Sequence, residues 1–169
     1  MKRPLIAIVG DINPNRTFEP PLKDAAAAKK AAEQLGAELA ERGARLLVYG
    51  APFVESDVVR GFVNGKPASD HSILMWYSKD QESPAFPEEK DNPKLFLRKA
   101  EKGAEWETAF YRSIATADGV ILIGGGHATL ISGQVAVGFL AGLTSESVFN
   151  KLLGLDVVRT SGVDHNPSR

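Results

Sequence analysis

The sequence predicts a three-layer α/β fold built around a mostly parallel central sheet. Short, continuously apolar runs alternate along the chain with stretches whose apolar residues recur at helical spacing. Three of the apolar runs end in glycine, as expected where a buried strand meets a turn or a ligand. Within 169 residues this alternation favours one domain, which we place at 1–159, followed by a flexible tail at 160–169.

The predicted elements follow in order. Leu5–Val9 is continuously apolar, so it predicts a first strand buried on both faces. Asp24 is the expected N-cap of a helix that runs to Arg42, with Gly43 as its stop. The further predicted strands are Arg45–Tyr49, Ile73–Tyr77, Leu95–Lys99, Val120–Ile123 and an edge strand at Asp156–Arg159. The further predicted helices are Val54–Phe62, Trp106–Ala117, Thr129–Leu140 and Ser145–Leu153.

The connections between these elements differ in length and character. The loop from Gly10 to Pro21 is long for a strand-to-helix connection, and long loops in compact domains are often functional. Ser78–Pro93 is predicted to be a polar loop. The run Leu95–Lys99 fits either a strand or the first turns of a helix. Asn92-Pro93 before it and Gly103 after it favour the strand.

Composition excludes several classes of function. A net charge of −1 and a hydrophobic fraction of 43% argue against disorder, a basic nucleic-acid surface and a cationic membrane helix. The chain has no cysteine, which excludes disulfides, zinc held by cysteine and thiol nucleophiles. The first apolar run is too short for a secretion signal or a membrane span. We therefore expect a cytoplasmic protein with neither a nucleic-acid nor a membrane partner, and with no cofactor.

The stretch from Ala117 to Thr129 indicates where a ligand binds. Its apolar run, Val120–Ile123, ends in three glycines, Gly124–Gly126, and a helix is predicted to begin near Thr129. The first turn of such a helix offers unpaired N–H groups and a positive dipole end, which suit a phosphate group. We therefore predict a phosphate site at Gly125–Thr129. The alternative is that the glycines merely permit a tight turn.

Three strand exits carry glycine and are predicted to meet in one crevice. In open parallel sheets, ligands bind beyond the carboxyl ends of the strands, near the point where the strand order reverses. Asp11 and Asn13 suit hydrogen bonds to a ribose or a base, but they equally suit Asx-turns. Thr129 is predicted to be a helix N-cap, a phosphate ligand, or both. The predicted ligand-binding residues are Gly10, Asp11, Asn13, Gly50, Ala51, Gly124, Gly125, Gly126, His127, Ala128 and Thr129.

Other side chains with suitable chemistry have competing interpretations. Arg16 either reaches a phosphate or is a solvated surface residue. Trp76 either stacks on a base or packs in the core. Glu107, at a helix start, is the candidate catalytic carboxylate, and Arg112 one turn later is expected to pair with it or to face the ligand. His127 suits phosphate binding or acid–base chemistry, and no second histidine lies at a metal-ligand spacing, so no metal site is expected.

The motifs G-D-I-N-P, V-Y-G-A-P and A-D-G-V-I-L-I-G-G-G-H-A-T together resemble the SLOG superfamily across Leu5–Gly142. This superfamily includes the LOG phosphoribohydrolases, the "putative lysine decarboxylase" proteins and DprA-like domains. The resemblance implies a Rossmann-like fold, a nucleotide or nucleotide-derived ligand, and a dimer or larger assembly. The apolar segment Val135–Leu143 also predicts a homodimer, because it exceeds what one core-facing helix stripe requires.

The chain departs from the LOG motif P-G-G-x-G-T-x-x-E at its charged position. Gly124 replaces the proline, Ala128 the last glycine, and Ser132 the glutamate. The arginine of the preceding helix falls near Ala109, which leaves Arg112 one turn away. A serine cannot act as a carboxylate base, so we expect a domain that binds or senses a nucleotide or an NAD-derived ligand. The rival is a LOG-like N-glycosidic-bond hydrolase that uses Glu107 or Glu105, and a subunit serving assembly is a third reading.

Overall fold

A computed structural model describes residues 3–13, 15–17, 23–50, 53–65, 67, 69–79, 85–103 and 105–140. The strands are β1 (Leu5–Asp11), β2 (Arg45–Val48), β3 (Ile73–Ser78), β4 (Phe96–Glu101) and β5 (Gly119–Gly124). The helices are α1 (Ala25–Glu41), α2 (Glu55–Asn64), α3 (Pro87–Asp91), α4 (Trp106–Thr116) and α5 (His127–Leu140), with a 3₁₀ turn at Pro93–Leu95.

The five strands form one parallel sheet in the order β4-β3-β2-β1-β5. The chain therefore adds strands in one direction from β1 to β4 and then returns to place β5 on the other side of β1. This reversal makes the carboxyl ends of β1 and β5 the topological switch point, where ligands bind in open α/β sheets. The predicted α/β class with a mostly parallel sheet is confirmed.

Two apolar cores cover the two faces of the sheet. On one face, Ile8 of β1 packs in a cluster with α1 and α2, whose most deeply buried members include Val58 and Phe62. On the other face, Ala7 and Val9 pack with residues of α4 and α5. Successive residues of a strand point to opposite faces, so β1 is buried on both sides. Both the three-layer arrangement and the buried first strand were predicted.

Helix α1 makes its closest approach to α2. A Cβ atom on Gly36 would lie 2.0 Å from the carbonyl oxygen of Val58, and one on Gly61 would lie 1.8 Å from that of Glu33. Only glycine permits this backbone contact. Asp24 is the N-cap of α1, as predicted, because its carboxylate accepts a hydrogen bond from the N–H of Ala27 at 2.9 Å. The Asp24 cap thus fixes where α1 begins, and the two glycines allow it to pack closely on α2.

Several predicted boundaries need correction. Helix α5 begins at His127 because the Gly126 carbonyl already accepts the first helical hydrogen bond, from Leu130. Thr129 therefore lies inside the first turn and is not an N-cap. The predicted loop Ser78–Pro93 contains α3, which starts with Pro87, a residue suited to a first helical turn. The run predicted at 95–99 is a strand, β4. The elements predicted at 145–153 and 156–159, and the tail at 160–169, lie outside the described residues.

Within the described ranges, no helix combines the length and the apolar character needed to cross a bilayer.

Candidate functional site

A cavity of about 390 Å³ opens at the switch point between β1 and β5. Its lining includes the end of β1, the first turn of α5, and residues that follow β2 and begin α4. This volume falls within the range of about 300–1,000 Å³ typical of small-molecule sites. The cavity lies where the glycine-ending strands predict a crevice.

The three consecutive glycines serve different purposes. Gly124 and Gly125 have φ values of +59° and +84°, which strain other residues. A Cβ atom on Gly125 would also lie 2.0 Å from the hydroxyl oxygen of Thr129. Gly126 has no atom within 4 Å of an added Cβ, and it lines the cavity. The turn itself therefore requires the first two glycines, whereas the third leaves space open to the cavity.

The first turn of α5 forms one wall. His127, Ala128 and Thr129 line the cavity together with Gly126. The first N–H groups of a helix have no intrahelical acceptor, and the positive end of the helix dipole lies with them. Thr129 is buried and His127 exposed. This wall has the composition and polarity that suit an anionic group.

Aromatic rings form another part of the cavity wall. The rings of Trp106 and Phe110 stack with centroids 5.2 Å apart and an interplanar angle of 7°. Phe110 in turn contacts Tyr49 edge-on at 4.5 Å. Trp106 remains 42% exposed, and it lines the cavity. The sequence predicted Trp106 only as the first residue of a helix, and this role was missed.

Asp11 and Asn13 form the Asx-turns that the sequence offered as one alternative. The Asp11 carboxylate accepts a hydrogen bond from the N–H of Asn13 at 2.9 Å, and the Asn13 side chain accepts one from the N–H of Asn15 at 3.0 Å. Asp11 also pairs with Arg16 at 2.8 Å, and both line the cavity. Asn13 does not line it.

Glu55 is a second site residue that sequence reasoning missed. It is the first residue of α2, it is only 3% exposed, and it lines the cavity. Burial raises the pKa of its carboxyl group to about 8, and the negative charge of Asp11 adds to the effect, while a hydrogen bond from its own backbone N–H opposes it. Its Oε2 atom has no hydrogen-bond partner among the described residues. A carboxylate in the first turn of a helix usually complements the helix dipole, so the sequence carries no sign of this burial.

Tyr49 extends the same polar region. Its hydroxyl group lies 2.8 Å from the hydroxyl of Ser113, and both residues are buried. Burial raises the pKa of Tyr49, and the nearby carboxylate of Glu55 raises it further. The phenol therefore stays protonated across the whole range in which Glu55 titrates.

The predicted catalytic pair lies outside the cavity. Trp106 takes the cavity-facing position at the start of α4, and one residue of a helix turns the side chain by about 100°, so Glu107 is exposed and does not line the cavity. Arg112 pairs with Glu101 at the end of β4, at 2.9 Å, rather than with Glu107 or a ligand. The hydroxyl of Ser132 donates to the carbonyl of Ala128 at 2.8 Å.

The remaining predicted residues are placed as follows. Gly50 has a φ of +122° and follows Tyr49, but it does not line the cavity. Ala51 lies outside the described residues. Trp76 is buried in the core, as its alternative reading predicted. No group of three or more acidic or histidine side chains in the described ranges could hold a metal ion.

No model of a known protein family matches the chain, and no curated protein matches it. Solved structures do. TM1055, a structural-genomics target, is 15% identical, with a TM-score of 0.54 over 82% of this chain and 69% of that one. The molybdenum cofactor carrier protein of Chlamydomonas reinhardtii is 17% identical, with a TM-score of 0.54 over 91% of this chain and 88% of that one.

A third solved structure, the molybdenum cofactor binding protein of the phototrophic bacterium Rippkaea orientalis, is 19% identical, with a TM-score of 0.53 over 93% of this chain and 88% of that one. The chain shares a Rossmann-like α/β fold with these structures. At these identities the likeness concerns the fold, and it confirms the architecture that the sequence resemblance implies.

Proposed function

We propose that the chain binds a nucleotide or a nucleotide-derived ligand in the cavity between β1 and β5. The phosphate group lies at the first turn of α5, from Gly126 to Thr129, and the ring lies against Trp106. The observation that carries this proposal is that one cavity joins a helix N-terminus to a half-exposed aromatic ring. Stacking of a base on an aromatic side chain contributes about 1–3 kcal/mol. A charge at a helix N-terminus contributes about 0.3–1 kcal/mol.

The same arrangement favours binding or sensing over hydrolysis. The hydroxyl of Ser132, at the position of the LOG glutamate, is committed to a backbone carbonyl. Glu107, the carboxylate that a rearranged hydrolase would use, does not line the cavity. Losing an acid–base group typically lowers a rate by about 10²–10⁴-fold. We therefore infer that the chain does not cleave an N-glycosidic bond by the LOG mechanism, and that the two carboxyl groups that do line the cavity, Asp11 and Glu55, serve ligand binding.

The names of two structural neighbours support a second ligand, the molybdenum cofactor. Its pterin ring and phosphate are compatible with an aromatic wall and a helix N-terminus in one cavity. In this alternative the cofactor is cargo that the chain carries. Mass spectrometry of the ligand released from denatured protein separates the two, because it identifies either a pterin or a nucleotide.

A homodimer in the cytoplasm is part of the proposal. Val135 and Ala136, at the start of the segment predicted to mediate self-association, are buried within the chain itself. Val137 of the same segment is 63% exposed, and Leu130, two helical turns before it on α5, is 59% exposed, so we place the dimer surface on this face. Residues 141–143 of the segment lie outside the described residues. Sedimentation at micromolar concentration that shows only an 18.1 kDa species would count against the dimer.

The proposal is tested by titrating the protein calorimetrically with AMP and NAD, and by chromatography of the same mixtures for free base. We expect saturable binding and no released base. Trp106→Ala should weaken binding about 10- to 100-fold, while Trp106→Phe retains most of it. Gly126→Thr, which suits an N-cap but fills open space, should weaken binding without unfolding the protein. Steady release of base at about 1 s⁻¹ or faster would instead favour the hydrolase.

A further inference from the structure

Building on the proposed function, on which this inference rests, we propose that the carboxyl group of Glu55 selects the ring of the ligand. It does so by pairing with a ring edge that presents one hydrogen-bond donor beside one acceptor. The edges of this kind are a lactam N–H beside its C=O, and an amino group beside a ring nitrogen. Glu55 is thus a specificity-determining residue for a planar heterocycle.

The position of Glu55 carries the first step. Buried polar atoms in native proteins almost always have a hydrogen-bond partner. The Oε2 atom of Glu55 is buried without one among the described residues, yet the side chain lines the cavity. Trp106 lines the same cavity. A ring that stacks on Trp106 therefore enters a space in which an unsatisfied carboxyl group is already in place.

The second step concerns the charged and titratable groups around Glu55, which favour its protonated form. Asp11 on β1 carries a negative charge. Arg16 forms an ion pair with Asp11 at 2.8 Å rather than with Glu55. Tyr49, after β2, stays protonated because burial raises its pKa. His127, at the start of α5, lines the same cavity. Glu55 is paired with no cation in the described part of the chain, and with a pKa of about 8 it is mainly a neutral acid at pH 7.

The protonation state decides which ring edge fits. A neutral carboxylic acid donates one hydrogen bond and accepts another, whereas a carboxylate only accepts. The neutral acid therefore matches a donor-beside-acceptor edge, in the way that asparagine and glutamine pair with adenine. An ionised Glu55 would instead match an edge with two donors, such as N1–H and the amino group of guanine. The amide of glutamine keeps the donor–acceptor pair at every pH, so Glu55→Gln distinguishes these two modes.

The experiment is calorimetric titration of the full chain with AMP at pH 7 and pH 9, a range in which the adenine ring does not ionise. For a pKa of about 8, the acid form falls about tenfold between these values, and wild-type affinity should fall by the same factor. Glu55→Gln should bind AMP within about threefold of wild type at pH 7 and should lose the pH dependence. The control variant Glu107→Gln removes an exposed carboxyl group outside the cavity and should retain the pH dependence of the wild type.

A second set of probes tests the ring edge itself. IMP presents N1–H beside O6, AMP presents an amino group beside N1, and purine riboside 5′-monophosphate has no donor on that edge. AMP and IMP should bind the wild type at pH 7 at least tenfold more tightly than purine riboside monophosphate, because that ring leaves Glu55 unpaired.

Each outcome decides for or against the inference. A tenfold loss of affinity in Glu55→Gln at pH 7, or equal wild-type affinity at both pH values, overturns it. Binding that depends on Trp106 but does not distinguish the three rings overturns it while leaving the proposed function intact. If none of the three nucleotides binds the wild type at either pH, the proposed function fails and the role of Glu55 falls with it.

Discussion

Two regions at the carboxyl edge of the sheet combine a tryptophan with a glutamate, and they differ in how far their own side chains satisfy one another. At the end of β4, the indole N–H of Trp76 and the guanidinium of Arg112 both donate to Glu101 at 2.9 Å. The ammonium group of Lys99 lies 3.5 Å from the centre of the Trp76 ring. At the β1–β5 cavity, neither Glu55 nor the exposed ring of Trp106 has such a cation among the residues that the structure describes.

The pKa values of the two glutamates are accordingly shifted in opposite directions. The hydrogen bond from Arg112 is the largest cause that lowers the pKa of Glu101, whereas burial raises that of Glu55 to about 8. The same pair of residue types is therefore structural in one place and available to a ligand in the other. The difference comes from burial at Glu55 and from cation pairing at Glu101, because Arg112 pairs with Glu101 whereas Arg16 pairs with Asp11.

The largest expected effect is a difference in unfolding free energy between alanine variants of the two tryptophans. Trp76 is 6% exposed, so Trp76→Ala should lower the free energy of unfolding by about 3–5 kcal/mol. Trp106 is 42% exposed, so Trp106→Ala should cost about 1 kcal/mol, with its main effect on ligand affinity. Urea denaturation of both variants measures this. Equal losses of stability would remove the distinction between the two regions.

The next effect concerns the pH dependence of stability. The pKa of Glu55 is raised on folding, so the folded state retains a proton that the unfolded state has lost above about pH 4.5. Stability from this group is therefore complete below pH 4.5 and is lost as the pH rises towards 8. Between pH 6 and pH 8 the loss is about 2 kcal/mol.

The check compares unfolding of wild type and Glu55→Gln at several pH values, because the variant lacks this proton while sharing every other titratable group. The difference in unfolding free energy should shift by about 2 kcal/mol in favour of the variant from pH 6 to pH 8. Parallel curves would show that Glu55 is ionised in the folded protein at neutral pH.

A smaller effect separates the glycines of the α5 turn. Gly125→Ser forces a side chain into a φ of +84° and against Thr129, so it should cost about 1–3 kcal/mol. Gly126→Ser supplies a good N-cap in open space and should change stability by less than about 0.5 kcal/mol. Thermal unfolding of this matched pair tests the claim. If Gly126→Ser were the more destabilising variant, the space beside Gly126 would be needed for folding rather than for ligand binding.

The smallest effect concerns Arg112. Its side chain is 64% exposed, so Arg112→Ala should cost less than about 1 kcal/mol of stability. It should leave the affinity for AMP within about twofold of wild type, because Arg112 does not line the cavity. A tenfold loss of affinity in calorimetry would show that Arg112 contributes to ligand binding.

Strands β1, β2, β3 and β5 were predictable because each contains a short, continuous apolar run, whereas β4 (FLRKAE) was predicted from the Asn92-Pro93 before it and the Gly103 after it. The position of the cavity followed from the glycines that end those runs. The role of Arg112 was not predictable, because spacing along α4 does not tell which neighbouring strand supplies a partner, and Glu101 of β4 does so.

Glu55 was missed for a related reason. A glutamate in the first turn of a helix is common, and only the packing of α2 against the end of β1 buries this one. The start of α5 was displaced by two residues because the Gly126 carbonyl, rather than a side chain, sets the first turn. Local sequence therefore predicted the elements and the edge where they meet, but not which polar groups the tertiary structure leaves without partners.

The most direct test of ligand binding at the β1–β5 cavity is a crystal structure of the protein grown with AMP. We predict the phosphate at the first turn of α5 beside Gly126 and the adenine ring on Trp106, with its amino edge towards Glu55. A second groove of about 660 Å³ lies between β4 and α4, beside Trp76 and Arg112. AMP bound in that groove, with the cavity at the switch point empty, would contradict the account.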